Sequence, residues 1–322
     1  MKKTIICISA SALILLSGCN NIEDSSQALS QAEKTTTAST SSAITENTTT
    51  TEYTTAQTTE NTSSETTTQA TLPQTTTVSS ENDIAAFSAL SHFVEENAEY
   101  YVEYQAKHPL LEASTVVTYV NIGLNRPFYT GIKTIQDTGS LMVFCNKYNA
   151  LPENYEPSDL TMISSENSIS GRTLYLRKEA AEAFEKLCKA ARAEGYTIIG
   201  QSAYRSYSYQ KSLYDSYVAS DGQTAADTYS ARPGHSEHQT GLAIDVKNAE
   251  LAYNQFGKTA EYQWAKDNIH KYGFVIHYIP NSEWITGYKT EEWHFRYVGI
   301  SAATEIYQMG ITLDEYLATY YV

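Results

Sequence analysis

Large apolar residues nearly vanish between residues 20 and 82, then return from Ile84 onward at regular intervals. Ile84, Phe87, Leu90, Val94, Ala98 and Tyr101 recur at helical spacing, and His108-Pro109 closes the run. Leu141-Met142-Val143-Phe144-Cys145 has the unbroken apolar character of a buried strand. Ala180, Phe184, Leu187 and Ala191 form one face of a helix that starts near Arg177 and stops at Gly195. Thr197-Ile198-Ile199 predicts a strand leading into Tyr204-Arg205, and Ser208 to Val218 a helix. Ala243-Ile244-Asp245-Val246, Phe274-Val275-Ile276 and Trp293-His294-Phe295-Arg296-Tyr297 predict further strands. Thr259 to Tyr272, closed by Gly273, and Ser301 to Met309 predict helices. Helices and strands intermingle without a βαβ repeat, so the expected class is α+β, a small antiparallel sheet flanked by helices. The segment after residue 82 is long enough for one domain with its own core.

The apolar-poor tract at 19–82 is Thr-dominated, with Ser, Asn, Gln and scattered Glu, as in Thr48-Thr49-Thr50-Thr51-Glu52. Such a composition does not bury enough surface to offset ordering entropy, which predicts a disordered tether. About 60 such residues span roughly 40–45 Å as a flexible coil. Residues 1–18 precede it as a leader: Lys2 and Lys3 lie before an apolar stretch, Ile5 to Leu16, too short to cross a bilayer as a settled helix. Leu16-Ser17-Gly18-Cys19 resembles a bacterial lipobox. That resemblance implies cleavage before Cys19, its acylation, and a lipid anchor on the outer face of the cell membrane. The formal net charge of −15 argues against nucleic acid as a partner. With Cys7 in the leader and Cys19 lipidated, Cys145 and Cys188 remain, either as a disulfide or as two buried thiols.

Seven histidines are available, and context singles out two. His238 lies in a polar stretch between Pro233-Gly234 and Gly241, as on a loop. Seven residues later Asp245 interrupts an apolar strand, where a carboxylate is costly unless paired with a cation or bound to metal. His294 sits in an aromatic strand, with Glu291 three residues before it and Glu292 on the opposite side of an extended backbone. Two imidazoles and a carboxylate supply three ligands and leave one position open, the arrangement of a catalytic zinc site, with a spare carboxylate as base. The bland alternatives are an inward aspartate paired with a basic group and solvated charges at a strand end. His235, three residues before His238, has ligand spacing too.

Ser236 to Asp245 reads SxHxxGxAxD, and Glu291 to His294 reads ExxH. With Ser202 to Gln210, Pro233 to Gly241, Trp293 to Gly299 and Asn146-Lys147-Tyr148-Asn149-Ala150-Leu151-Pro152, these stretches resemble the VanY-type zinc D-alanyl-D-alanine carboxypeptidases and their LD-carboxypeptidase relatives. The resemblance covers about Val117 to Gly310 and departs at Glu292, where many members have Pro. It implies zinc held by His238, Asp245 and His294, Glu291 as general base and then acid, and Arg205 as oxyanion stabiliser. Ser236 and Gln210 would contact the end of the substrate, and His235 would stand outside the ligand set. Trp293, Tyr204, Tyr207 and Tyr214 are candidates for the substrate groove or for packing. The expected organisation is a helical segment at 83–115 packed on a zinc peptidase domain at 116–322. The expected reaction removes the C-terminal D-alanine from peptidoglycan stem peptides. The alternatives are an LD-carboxypeptidase, a cross-bridge endopeptidase and a non-catalytic wall-binding lipoprotein.

Overall fold

The computed structural model describes residues 80–322, so the expected leader, the lipidation of Cys19 and the tether lie outside the described residues. Helices α1 (Ser80–Ser88), α2 (Ala98–Lys107) and α3 (Ala113–Ile122) come first. The apolar run from Ile84 to Tyr101 is thus two helices rather than one. Side chains satisfy the backbone at the break: Asn121 Nδ2 donates to the His92 carbonyl at 2.8 Å, and the Val94 N–H donates to Tyr101 Oη at 3.1 Å. The fold-back brings the rings of Phe87 and Tyr101 to 5.7 Å between centroids, and both pack with Val116, Val117 and Val120 in one cluster. The 115/116 boundary expected between segments falls inside α3.

Short strands β1 (Lys133–Thr134), β2 (Asn149–Ala150), β3 (Leu160–Met162) and β4 (Tyr175–Arg177) make two small pairs. Helix α4 (Lys178–Ala193), strand β5 (Ile199–Ser202) and helices α5 (Tyr207–Asp221) and α6 (Gln223–Ala226) follow. Next come β6 (Ala243–Lys247), α7 (Ala260–Asn268), β7 (Phe274–Ile276), α8 (Glu283–Thr286), β8 (His294–Tyr297), α9 (Ile300–Met309) and α10 (Leu313–Tyr320). The central sheet runs β5-β6-β8-β7, antiparallel throughout.

The stretch at Leu141–Cys145, expected as a strand, is not one. Its carbonyls are taken by a side chain instead: Arg296 Nη2 donates to Leu141 O at 2.8 Å and to Val143 O at 3.1 Å. Cys145 and Cys188 are free and buried, so the alternative of a disulfide between them falls.

Alternation along the strands separates core from site. On β6 and β8, Ile244, Val246, Phe295 and Tyr297 join the main cluster with Phe184, Leu187 and Ala191 of α4. With a side-chain period of two, Asp245, His294 and Arg296 lie on the other face. The register sets Asp245 directly opposite His294 on β8 and opposite Ser202 on β5. At Gly200, where β5 pairs with β6, an added Cβ would stand 2.9 Å from Ile244 Cδ1, so packed side-chain tips would have to shift to admit one. The last helix, α10, closes on α3 through Thr118–Thr319 at 3.0 Å and Asn121 Nδ2 to Ala318 O at 3.2 Å.

Candidate metal centre

His238 sits on a 3₁₀ turn, Glu237–Thr240, that ends in the left-handed Gly241 (φ +67°). The loop after β5 braces this turn. The Arg205 N–H donates to His238 O at 3.2 Å, and His238 Nδ1 lies 2.7 Å from Ala203 O. That contact makes Nδ1 the protonated nitrogen and leaves Nε2 as a lone-pair donor, 3.3 Å from Asp245 Oδ2. The other Asp245 oxygen, Oδ1, stands 3.1 Å from His294 Nδ1. Donor atoms of these three buried side chains all lie within 4.8 Å of one another.

Arg205 anchors the far side. Its Nη2 donates to Asp245 Oδ2 at 2.6 Å, its Nε to Ser202 Oγ at 3.0 Å, and its Nη1 lies 3.5 Å from Gln210 Oε1. Gln210 is buried and donates from Nε2 to Ala231 O at 2.8 Å, so it is tied between Arg205 and the loop before Pro233. Ser236 is buried immediately before the turn that carries His238.

Glu291 is positioned by backbone. Its N–H donates to Tyr278 O at 2.9 Å, and its carbonyl accepts from the His294 N–H at 3.1 Å. Among the described residues, no side chain or backbone group donates to its carboxylate. Desolvation pushes that carboxyl up to about 7; His294 opposes the shift and Asp245 adds to it. An unpaired carboxyl near neutrality is suited to taking and returning a proton. Glu292 is turned toward Gly257, so the two adjacent carboxylates part as an extended backbone requires.

Four residues of the centre were not evident in the sequence. Glu237 Oε2 accepts from His277 Nδ1 at 2.7 Å and from His294 Nε2 at 3.0 Å. Arg296 pairs with the other Glu237 oxygen. His277 Nε2 reaches Asp314 Oδ2 at 2.7 Å, and Asn146 Nδ2 donates to Asp314 Oδ1 at 3.3 Å. Burial alone would raise the Glu237 carboxyl, yet His277 and Arg296 hold it well below the usual range. Burial opposes the charge on His277, but Glu237 and Asp314 raise it to about 10, so it is an imidazolium at neutral pH. Only the neighbouring His-rich spacing hinted at Glu237; the rest is tertiary. Glu237, His277 and His294 also lie close enough to share an ion. With Arg296 on one oxygen of Glu237 and Asp314 on the far nitrogen of His277, that trio is a hydrogen-bonded network instead.

His235, Tyr214 and Trp293 lie outside the donor set. His235 is buried with Nδ1 2.8 Å from Asn146 O and belongs to neither trio. Tyr214 donates to Asp227 Oδ1 at 2.7 Å, a packing role, and Trp293 meets Tyr253 edge-on at 5.3 Å. The set His238, Asp245 and His294 fits zinc: two imidazoles and a carboxylate converge, and each imidazole has its second nitrogen held by a protein acceptor.

Three buried donors with an unpaired carboxyl beside them define a metal-dependent hydrolase. The VanY family, D-alanyl-D-alanine carboxypeptidase, matches residues 173–300. The putative carboxypeptidase YodJ of Bacillus subtilis (strain 168) is 45% identical over 193 residues, 58% of this chain and 70% of that protein. A D-alanyl-D-alanine carboxypeptidase of Enterococcus faecalis (strain ATCC 700802 / V583) is 34% identical over 187 residues, 55% of this chain and 66% of that one. Among solved structures, the LdcB LD-carboxypeptidase superposes with a TM-score of 0.56 at 44% identity, over 59% of this chain and 91% of that chain. The chain belongs to the VanY family of carboxypeptidases.

Proposed function

We propose that this protein is a zinc carboxypeptidase that removes the C-terminal D-alanine from peptidoglycan stem peptides. The observation that carries the reading is the convergence of the His238, Asp245 and His294 donors beside the carboxyl of Glu291, to which no group among the described residues donates. Zinc on those donors would supply Lewis acidity for the scissile carbonyl and acidify water. Glu291 takes a proton from the attacking water and returns it to the departing amine. A guanidinium has five N–H donors. Arg205 engages three of them, to Ser202, Gln210 and Asp245, and keeps the others for the oxyanion that forms as the carbonyl is attacked. Gln210 holds Arg205 in that attitude, and the place of Ser236 in the SxHxxGxAxD pattern, two residues before His238, supports a contact with the substrate's end.

A second reading, cleavage of the L,D bond of a tetrapeptide, is favoured by the likeness to LdcB. Synthetic tri-, tetra- and pentapeptide stems with mass-spectrometric readout of products separate the two: loss of D-alanine from pentapeptide supports the first, loss from tetrapeptide alone supports the second, and no cleavage of any stem refutes both. The working place proposed for the enzyme is the outer face of the bacterial membrane, held through lipid on Cys19 by the Thr-rich stretch. The lipobox sequence at Leu16–Cys19 supports this. Cells fed a labelled fatty acid should label the wild-type chain and not Cys19→Ala.

A further inference from the structure

Behind the metal-facing side of His294 runs a buried chain of polar groups that the hydrolytic chemistry itself does not use. His294 Nε2 meets Glu237, Glu237 meets His277, and His277 meets Asp314 on α10, with contacts of 3.0, 2.7 and 2.7 Å. All four side chains are buried, as is Arg296, which stands against Glu237. We propose that Asp314 and His277 are positioning residues: through Glu237 they fix the ring of His294 so that its Nδ1 faces the metal, and Arg296 supplies the counter-charge that lets the relay be buried. This rests on the zinc reading above and deepens it.

The geometry argues for orientation rather than for mere filling of space. An imidazole bound to metal through one nitrogen is held by an acceptor on the other, and a carboxylate in that place also raises its basicity. Glu237 is that acceptor, but a free carboxylate could swing. Here both its oxygens are pinned, one by Arg296 and one shared by His277 and His294. His277 has a carboxylate oxygen 2.7 Å from each ring nitrogen, so both nitrogens donate, and Asp314 keeps the ring turned with Nδ1 on Glu237. Asp314 is fixed in turn by Asn146, whose Oδ1 accepts from the backbone N–H groups of Tyr148 and Asn149 at 2.9 and 3.0 Å. Two carboxylates, a guanidinium and an imidazolium balance in charge, so removal of one member leaves a buried charge uncompensated. His294 is the end of the relay that reaches the donor set.

The test measures zinc affinity of the full chain, stripped of metal and titrated in competition with a chromophoric chelator, alongside its melting temperature. Asp314→Asn and His277→Gln should weaken zinc by about 10–100-fold. Leu187→Ala, a core truncation in α4 outside the relay, should lower the melting temperature and leave zinc affinity within about twofold, since its cost is packing alone. Where a single substitution prevents folding, the charge-balanced pair Glu237→Gln with Arg296→Met deletes one carboxylate and one guanidinium together and should weaken zinc equally. Folded relay variants with wild-type zinc affinity overturn the proposal, and so does a loss of affinity in Leu187→Ala as large as theirs. A wild-type chain that binds no stoichiometric zinc overturns the metallopeptidase reading itself, which is a separate outcome.

Discussion

Glu291 concentrates the reactivity of the centre because no other group among the described residues donates to its carboxylate. Glu291→Gln should retain zinc and lose about 10²–10⁴ in kcat, the usual worth of a positioned acid–base group; metal analysis and stem-peptide turnover of the same preparation check this. Its pH behaviour has a definite sign. Desolvation holds the metal-free carboxyl near 7, and a dication beside it favours the ionised form, so its value falls on loading. The active form is the ionised one. kcat/KM should therefore rise from acid toward neutral pH, with a limb at or below about 7, as a pH–rate profile of the loaded enzyme would show. His238, Asp245, His294 and Glu291 were legible because each contradicts its setting: polar in an apolar strand, or spaced like a ligand set. Glu237, His277, Arg296 and Asp314 were not, because the partners that explain each lie 37 or more residues away in the chain. Asp314 in particular reads as an ordinary acidic residue in the first turn of a helix.

At the scale of elements, the strands that build the centre were legible as short apolar and aromatic runs, and β6 and β8 lie within a residue of expectation. What misled was apolar content without its context. Leu141–Cys145 has strand composition, yet its carbonyls serve Arg296. The Ile84–Tyr101 stripe has helix spacing, yet the chain breaks where Asn121 and Tyr101 take over its backbone hydrogen bonds. Helix α10 begins with a reciprocal cap: Thr312 Oγ1 accepts from the Glu315 N–H at 3.1 Å, and the Glu315 carboxylate accepts from the Thr312 N–H at 2.8 Å. Thr312→Ala should cost about 1 kcal/mol, read as a lower urea midpoint at unchanged slope.

Over the whole molecule, the centre joins pieces distant in sequence: the 3₁₀ turn, two strands, the loop after β5 and the final helix. A ligand that binds only the folded state stabilises it by RT ln(1 + [L]/Kd), about 2.7 kcal/mol at a hundredfold excess over Kd. Stripping zinc should lower the melting temperature and abolish turnover, and restoring zinc should recover both; calorimetry before and after chelation is the check. His238→Ala should lack this metal-dependent shift. The buried quartet of Glu237, His277, Arg296 and Asp314 also bears on descent. Since each charge is tolerable only beside its opposite, mutation is expected to drift through this region in compensated pairs. A lineage that lost the acid on the last helix should have lost the imidazole facing it, and one that lost the arginine should show a neutral residue just before the first histidine ligand.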